Sequence, residues 1–374
     1  MRAEQPLSSD ADVVVIGAGA MGLFTAMYLA REGRDVVVLD RNRTWAEASG
    51  ANAGSLAVQN KMLPLVPFVL EALKLWRSMG ETLGADVGFQ SRGGYKVATT
   101  EAERDQLLRT AEAQQALGVD VRALDRAGID SEANWLGSDV LAATFSTKDS
   151  FSNPLLLGSA LTAAARLAGV RIEGDAEVRQ IVENGALLTT TSRGTIRSRA
   201  VVVAAGAWSG LVAALFGVGL PMALETNMLT VTEPAGFTMD AIVTHTRGIL
   251  TLKQVSNGTC LIGGGWLGSG SLTNARKDLD YESLLHNIRL AVRIVPGLAN
   301  LNVVRHWAAY EGTTPDFLPY IGRLPNSQSA FVVAGARGGY TLSPFLGQLT
   351  ADLVIGREPC MDISAFSPGR FGNA

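Results

Sequence analysis

The stretch that most limits what this chain can fold into is residues 12–40, DVVVIGAGAMGLFTAMYLAREGRDVVVLD. An apolar run, Val13 to Ile16, stops at Gly17. Gly17, Gly19 and Gly22 stand at G-x-G-x-x-G spacing, and an amphipathic stretch through Ala26 and Leu29 reaches Gly33. A second apolar run, Val36 to Leu39, ends at Asp40. This is strand, tight turn, helix, strand: one βαβ unit. Gly17 lets the chain turn sharply out of the strand. Gly19 has no Cβ, so a pyrophosphate can approach the backbone, and Gly22 lets the helix pack closely on the strand. The helix N-terminus offers free N–H groups and a positive dipole end to the phosphates. Asp40, closing the second strand, can accept both ribose hydroxyls and argues against a 2′-phosphate. The ligand is therefore FAD or NAD rather than NADP.

A chain of 374 residues predicts two domains. With 47% hydrophobic and 18% charged residues it reads as well packed, and a net charge of −3 gives no sign of nucleic-acid binding. Cys260 and Cys360 are far apart, which argues for a reducing compartment. The first ten residues are polar and acidic, so no signal peptide is visible, and no apolar run reaches the ~20 residues of a spanning helix. The expected location is cytoplasmic. None of His245, His286 and His306 shows H-x-x-x-H spacing, so no metal site is expected.

Small residues crowd 48–57, which suits a segment lying flat against a large ring or, alternatively, a mobile loop. Residues 62–84 repeat near a 3.6 period and predict a helix. Residues 87–98 predict a β-hairpin, and 100–117 an amphipathic helix capped by Thr99 or Thr100. A strand over 140–148 precedes a helix that starts at Asn153–Pro154 and ends at Gly169. Ala200 to Ala204 reads as a buried parallel strand running into Ala205–Gly206–Ala207–Trp208. Residues 220–323 predict an antiparallel sheet with a helix from Tyr281 to Val295. Phe331 to Ala334 predicts a strand, followed by a glycine turn and a final helix starting at Ser343 or Pro344. The expected fold is α/β plus α+β: a Rossmann-type nucleotide-binding domain, discontinuous over 1–84, 145–215 and 324–374, with an antiparallel-sheet substrate domain from 85–144 and 216–323 inserted in it.

Five stretches point one way: GAGAMG with Asp40, ASGANAG, VVVAAGAWS, WAAYEGTTPDFLPYIG and VAGARGGYTLSPFLG. Together they resemble the D-amino-acid oxidase, glycine oxidase and sarcosine oxidase family of FAD-dependent amine oxidoreductases. The GARGGYTLSP form looks most like the flavin subunits of opine oxidase, hydrogen cyanide synthase and proline dehydrogenase complexes. The resemblance implies FAD. Gly17, Gly19, Ala20, Met21 and Gly22 would hold the pyrophosphate, and Asp40 and Arg41 the adenosine ribose. Ser49, Asn52, Ala53, Gly54, Ser55 and Leu56 would line the isoalloxazine, and Val178 would contact adenine through its backbone. Ala205, Gly206 and Trp208 would pass beside the phosphates and ribityl chain. Gly338, Gly339, Tyr340 and Thr341 would meet the pyrimidine edge, where a helix N-terminus stabilises negative charge. Covalent members carry a Cys just before the T-P-D motif; residues 306–310 hold none, so non-covalent FAD is expected.

The reaction so implied is hydride transfer from an amine-bearing carbon to flavin N5, giving an imine that water hydrolyses. Glycine oxidase-like members place an Arg in this segment to grip a substrate carboxylate. Here Glu311 stands there, and favours a cationic substrate unless it pairs instead with Arg305 or Arg323. Arg337 is the remaining candidate for a carboxylate, or else a surface or interface arginine. Tyr310, Trp307 and Tyr340 are candidate pocket walls, Lys253 is expected to be solvated or, alternatively, to face the pocket, and His245 and His306 to be scaffold. Three whole-protein readings follow. The first is a catalytic flavin subunit passing electrons to a partner subunit or carrier. The second is a stand-alone oxidase making peroxide, and the third a non-catalytic FAD-binding scaffold.

Overall fold

The computed structural model describes residues 7–372; the first six residues of the polar opening stretch and the last two of the chain lie outside the described residues. The βαβ unit forms as the glycine spacing dictates. The strand Leu7–Ile16 leads into the helix Ala20–Arg31, and Val36–Leu39 returns parallel to the first strand. These strands sit in a sheet ordered Tyr320–Arg323, Ala330–Ala334, Gly194–Val203, Leu7–Ile16, Val36–Leu39, Arg171–Glu173. Along this path all neighbours are parallel except the first pair, and Leu187–Thr191 and Val178–Glu183 extend the sheet antiparallel from Gly194–Val203. The strand containing Ala200 thus lies between Leu7–Ile16 and Ala330–Ala334. Three turns, at Gly17, Ala205–Gly206 and Gly335–Gly339, leave the same carboxyl edge, the position where such sheets bind ligands. One face of the sheet packs against Ala20–Arg31, Val66–Arg77, Pro154–Leu167 and Gly339–Val354. The two helices Ala20–Arg31 and Gly339–Val354 approach so closely that a Cβ on Gly347 would lie 2.6 Å from that of Phe24.

A second eight-stranded sheet is ordered Val303–Thr313, Ala223–Pro234, Thr259–Gly263, Thr251–Gln254, Ile242–His245, Gly94–Ala98, Ala142–Ser146, Val121–Leu124. It is antiparallel throughout except where Ile242–His245 runs parallel to Gly94–Ala98. The helix Tyr281–Ile294, capped by the Asp280 carboxylate, covers it over a separate apolar core.

Several local expectations need correction. Residues 87–98 do not form a hairpin. Gly94–Ala98 alone is a strand, and Gln90 instead pairs with Phe151, each N–H donating to the other's carbonyl, while Gly93 fits under the Phe145 ring where a Cβ would be 2.4 Å away. The helix over 62–84 is broken: Val66–Arg77 ends at Ser78 and a short helix, Met79–Leu83, follows. The small-residue stretch contains one helical turn, Ala48–Ala51, and part of its smallness serves Trp45. A Cβ on Gly50 would meet the Trp45 carbonyl at 2.2 Å. The final helix starts at Gly339, not at Ser343 or Pro344. Pro344 has no N–H for the Tyr340 carbonyl, and the Ser343 hydroxyl donates to that carbonyl at 2.8 Å instead.

Candidate active site

The carboxyl edge of the first sheet and one face of the second enclose a cavity of about 500 Å³. One end is built by Asp40, Arg41, Ala176 to Val178, Ala205, Gly206 and Trp208, with the Arg41 guanidinium 3.9 Å above the Trp208 ring. The middle is lined by Gly17, Gly19, Ala20, Met21, Ser49, Asn52, Ala53, Gly54 and Ser55. The other end holds Tyr310, Glu311, Gly338, Gly339 and Tyr340.

The cradle has the shape a dinucleotide needs. Gly17 has φ +114°, and a Cβ on it would lie 2.3 Å from the Ala204 carbonyl. At Gly22 a Cβ would lie 2.0 Å from the Gly17 carbonyl. Only these glycines let the strand, the turn and the helix start stack at one point. Gly19 has no side chain to cap the helix, and the Ser49 hydroxyl accepts from the Ala20 N–H at 2.9 Å instead; both Gly19 and Ser49 line the cavity. Asp40 accepts from the Ala18 N–H through Oδ2 and from the Asn42 N–H through Oδ1, both at 2.8 Å, which fixes its carboxylate. Each oxygen keeps a lone pair for a ribose hydroxyl. Burial pushes the Asp40 pKa up against these two N–H bonds. FAD fits this donor and acceptor set from the Asp40 end to the Gly338 end.

At the ring end Glu311 is half-buried and fully engaged. Its Oε1 accepts from the Gly338 N–H at 2.7 Å and its Oε2 from the Asn227 amide at 2.8 Å. Neither Arg305 nor Arg323 pairs with it among the described residues. The strand register sets Glu311 directly opposite Glu225. Burial raises the Glu311 pKa and Glu225 adds to this, whereas the Gly338 N–H, Lys61 and Arg337 oppose it. Lys61 donates to the Gly338 carbonyl at 2.7 Å, and burial pulls its pKa down to about 8. Gly338, at φ +61°, is thus clamped between an acid and a base just where the final helix begins.

The remaining residues fall in different places. Arg337 lies outside the cavity lining, half-exposed, with Nε 3.8 Å from Glu225 Oε2 and its guanidinium over the Phe317 ring. Tyr310 and Tyr340 line the cavity, but their hydroxyls face protein. Tyr310 donates to the Arg276 carbonyl and accepts from the Ser271 N–H, and Tyr340 bonds the Ser152 hydroxyl. Trp307 does not line the cavity; its indole N–H donates to the Ala51 carbonyl at 2.7 Å. Gly22, Leu56 and Thr341 stand behind the lining: Gly22 packs on the Gly17 turn, Leu56 is buried, and the Thr341 hydroxyl donates to the Ser55 carbonyl. His306 bonds Thr230, and the buried His245 accepts from the Arg247 N–H. Lys253, expected in solvent, is only 2% exposed. Sequence reasoning misses Glu225, Asn227 and Lys61. For Glu225 and Asn227 the signal is the pairing of strands far apart in the chain, with the Glu225–Glu311 register as its centre, and for Lys61, which lies on a bend outside any strand, it is chain packing against Gly338; no local spacing carries either.

The family model described as FAD dependent oxidoreductase matches residues 12–353. The chain belongs to this FAD-dependent oxidoreductase family. It is 30% identical over 370 residues to glycine oxidase from Geobacillus kaustophilus strain HTA426, covering 95% of this chain and 96% of that protein. It is 29% identical over 377 residues to an opine oxidase subunit from Agrobacterium tumefaciens strain Ach5, covering 97% and 98%. The crystal structure of glycine oxidase from Geobacillus kaustophilus superposes with a TM-score of 0.91 at 28% identity, over 97% of this chain and 99% of that one. The chain is thus an FAD-dependent oxidoreductase. Among the described residues no helix is long and apolar enough to cross a membrane.

Proposed function

We propose that this chain oxidises a secondary amine, opine or D- or imino acid that brings a positive group near Glu311, as the flavin subunit of a multi-subunit opine or amino-acid dehydrogenase. The observation that carries the reading is Glu311, at the ring end of the cavity and directly opposite Glu225. Like charges facing each other across a strand pair are unfavourable, and a cation between them relieves the cost. Two unit charges 4 Å apart interact by about 4 kcal/mol at an effective dielectric of 20. A substrate carboxylate at Glu311 is therefore disfavoured, and a secondary ammonium or a guanidinium favoured. Arg337, already near Glu225, is the group such a cation would displace.

Bound FAD would supply a two-electron acceptor for the hydride of the amine-bearing carbon, and water would hydrolyse the resulting imine. The chain's own residues do the rest by placement. Asp40, the glycine turns and Gly338–Gly339 fix the cofactor. The engaged hydroxyls of Tyr310 and Tyr340 leave walls rather than acids or bases facing the substrate. Such chemistry needs orientation and water exclusion more than proton transfer when the amine arrives neutral. FAD is proposed to be non-covalent, since Cys260 is buried in the second sheet's core and Cys360 is exposed near the C-terminus. The domain boundaries expected from sequence are proposed as the division between cofactor and substrate halves. Electrons then pass to a partner subunit or carrier, a reading supported by the similarity to the opine oxidase subunit. The second reading, a stand-alone oxidase releasing hydrogen peroxide, is supported by the similarity to glycine oxidase.

Anaerobic bleaching of the flavin tests this. The panel is octopine, nopaline, proline and hydroxyproline isomers, sarcosine, glycine and D-alanine, run with the parent and with Glu311→Arg. Cationic secondary amines are expected to bleach the parent, and Glu311→Arg to lose at least tenfold in rate on them. Best bleaching by glycine or D-alanine, unchanged in the variant, would sink the substrate assignment. Oxygen uptake with peroxide release would favour the second reading, and flavin left on acid-precipitated protein would refute the non-covalent assignment.

A further inference from the structure

Lys253 sits on the strand Thr251–Gln254. Alternation along the strand sends Leu252 into the apolar core of the second sheet and turns Thr251 and Lys253 to the opposite face. Thr251 lines the cavity. The Lys253 side chain is buried against the cavity wall, with Nζ 5.3 Å above the Phe151 ring and donating to Ser55 Oγ at 3.3 Å. It makes no ion pair among the described residues. A lysine buried without an anion is costly to keep charged, and burial alone pulls its pKa down to about 7.

Ser55 is the other half of the arrangement. It lines the cavity, and its carbonyl accepts from Thr341 in the first turn of the final helix. A hydroxyl that accepts from an ammonium keeps its own proton free to donate onward. Onward from Ser55 lies the cavity whose lining fits FAD. A cation close to a redox group stabilises its more negative, reduced form.

We propose that Lys253 and Ser55 form a relay that presents positive charge and a hydrogen-bond donor to the isoalloxazine. Lys253 is the positioning residue that sets how readily the cofactor accepts electrons. It acts through Ser55, outside the substrate's reach, and is distinct from the acid pair that selects the amine.

Sulfite affinity of the holoenzyme reads this without turnover, since sulfite adds to oxidised flavin, leaves negative charge on the ring and bleaches its visible band. Lys253→Met is expected to bind sulfite at least tenfold more weakly, and Lys253→Arg to stay near the parent. Ser55→Ala should weaken binding severalfold in the parent and add little to Lys253→Met, as two members of one relay would. The flavin midpoint potential should fall in the same order. A Lys253→Met holoenzyme with sulfite affinity within twofold of the parent overturns the relay and leaves Lys253 a packing residue. If Lys253→Met does not retain FAD, Ser55→Ala carries the test, and unchanged affinity there overturns the relay. A yellow parent protein with unaffected variants fails this proposal alone, whereas a parent that binds no FAD fails the cofactor assignment with it.

Discussion

A methyl group at Gly22 would meet the Gly17 carbonyl at 2.0 Å and the Ala204 Cβ at 3.3 Å, so the helix start would have to move off the strand that it serves. Overpacking of this kind costs about 1–3 kcal/mol, and here the shift opens the phosphate cradle as well. Gly22→Ala is expected to lower the urea midpoint and to weaken FAD retention at least tenfold in flavin titration. Gly33→Ala is the matched control: it adds strain at φ +77° but meets nothing within 4 Å. It should cost stability and leave flavin affinity alone; equal flavin loss in both would refute the cradle argument. Glycine roles of this sort are legible in sequence because a turn imposes them within a few residues. Asp40 is legible for the same reason, standing at a fixed distance from the turn. Glu225, Asn227 and Lys61 are not, because they reach Glu311 and Gly338 through strand register and chain packing that no spacing encodes. Lys253 is left by the sequence between solvent and the pocket for another reason. A lysine on a strand is usually solvated, and only the docking of two sheets buries this one.

The final helix is the element on which sequence and structure differ most usefully. Proline signals a helix start, yet Gly339–Val354 carries Pro344 inside it, and the Ser343 hydroxyl takes over the Tyr340 carbonyl that the proline leaves unbonded. Ser343 is fully buried, so Ser343→Ala leaves that carbonyl without a partner, at a cost of about 1–3 kcal/mol. In a Pro344→Ala background the restored N–H serves the carbonyl and the same change should cost less than half as much. Urea denaturation of the four proteins checks this; equal costs in both backgrounds would show that the hydroxyl does not compensate the proline. The strands are the more legible elements. Val13 to Ile16, Val36 to Leu39 and Ala200 to Val203 are apolar runs buried on both faces, as a parallel sheet requires. The absent hairpin at 87–98 shows the converse, since its pairing partner is the distant Phe151 and not a neighbour in sequence.

At the scale of the whole molecule, two sheets meet over one cavity and trap several ionisable side chains at the junction. Asp149 is buried, accepts from the Val58 N–H at 2.6 Å and from the Gln59 amide at 3.0 Å, and burial still pushes its pKa up to about 6. Lys61 and Lys96 are pulled down to about 8 and Lys253 to about 7, in each case first by burial. For the lysines the unfolded chain binds more protons than the folded one between these values and the ordinary 10.5, so stability rises with pH across that window. For Asp149 the folded state binds more protons between 3.8 and about 6, so its contribution falls as pH rises there. The apoprotein should therefore be least stable near pH 6–7 and gain stability towards pH 9.5. Lys253→Met removes one of the three lysine contributions, so its gain over the parent should be largest near pH 6 and shrink as pH rises and the parent lysine sheds its proton. Urea midpoints of both apoproteins from pH 6 to 9.5 measure this directly. A parent midpoint that is flat or falling over that range, or a variant that keeps the parent's slope, would mean that the Lys253 ammonium reaches water, and the closed junction between the sheets would have to be redrawn.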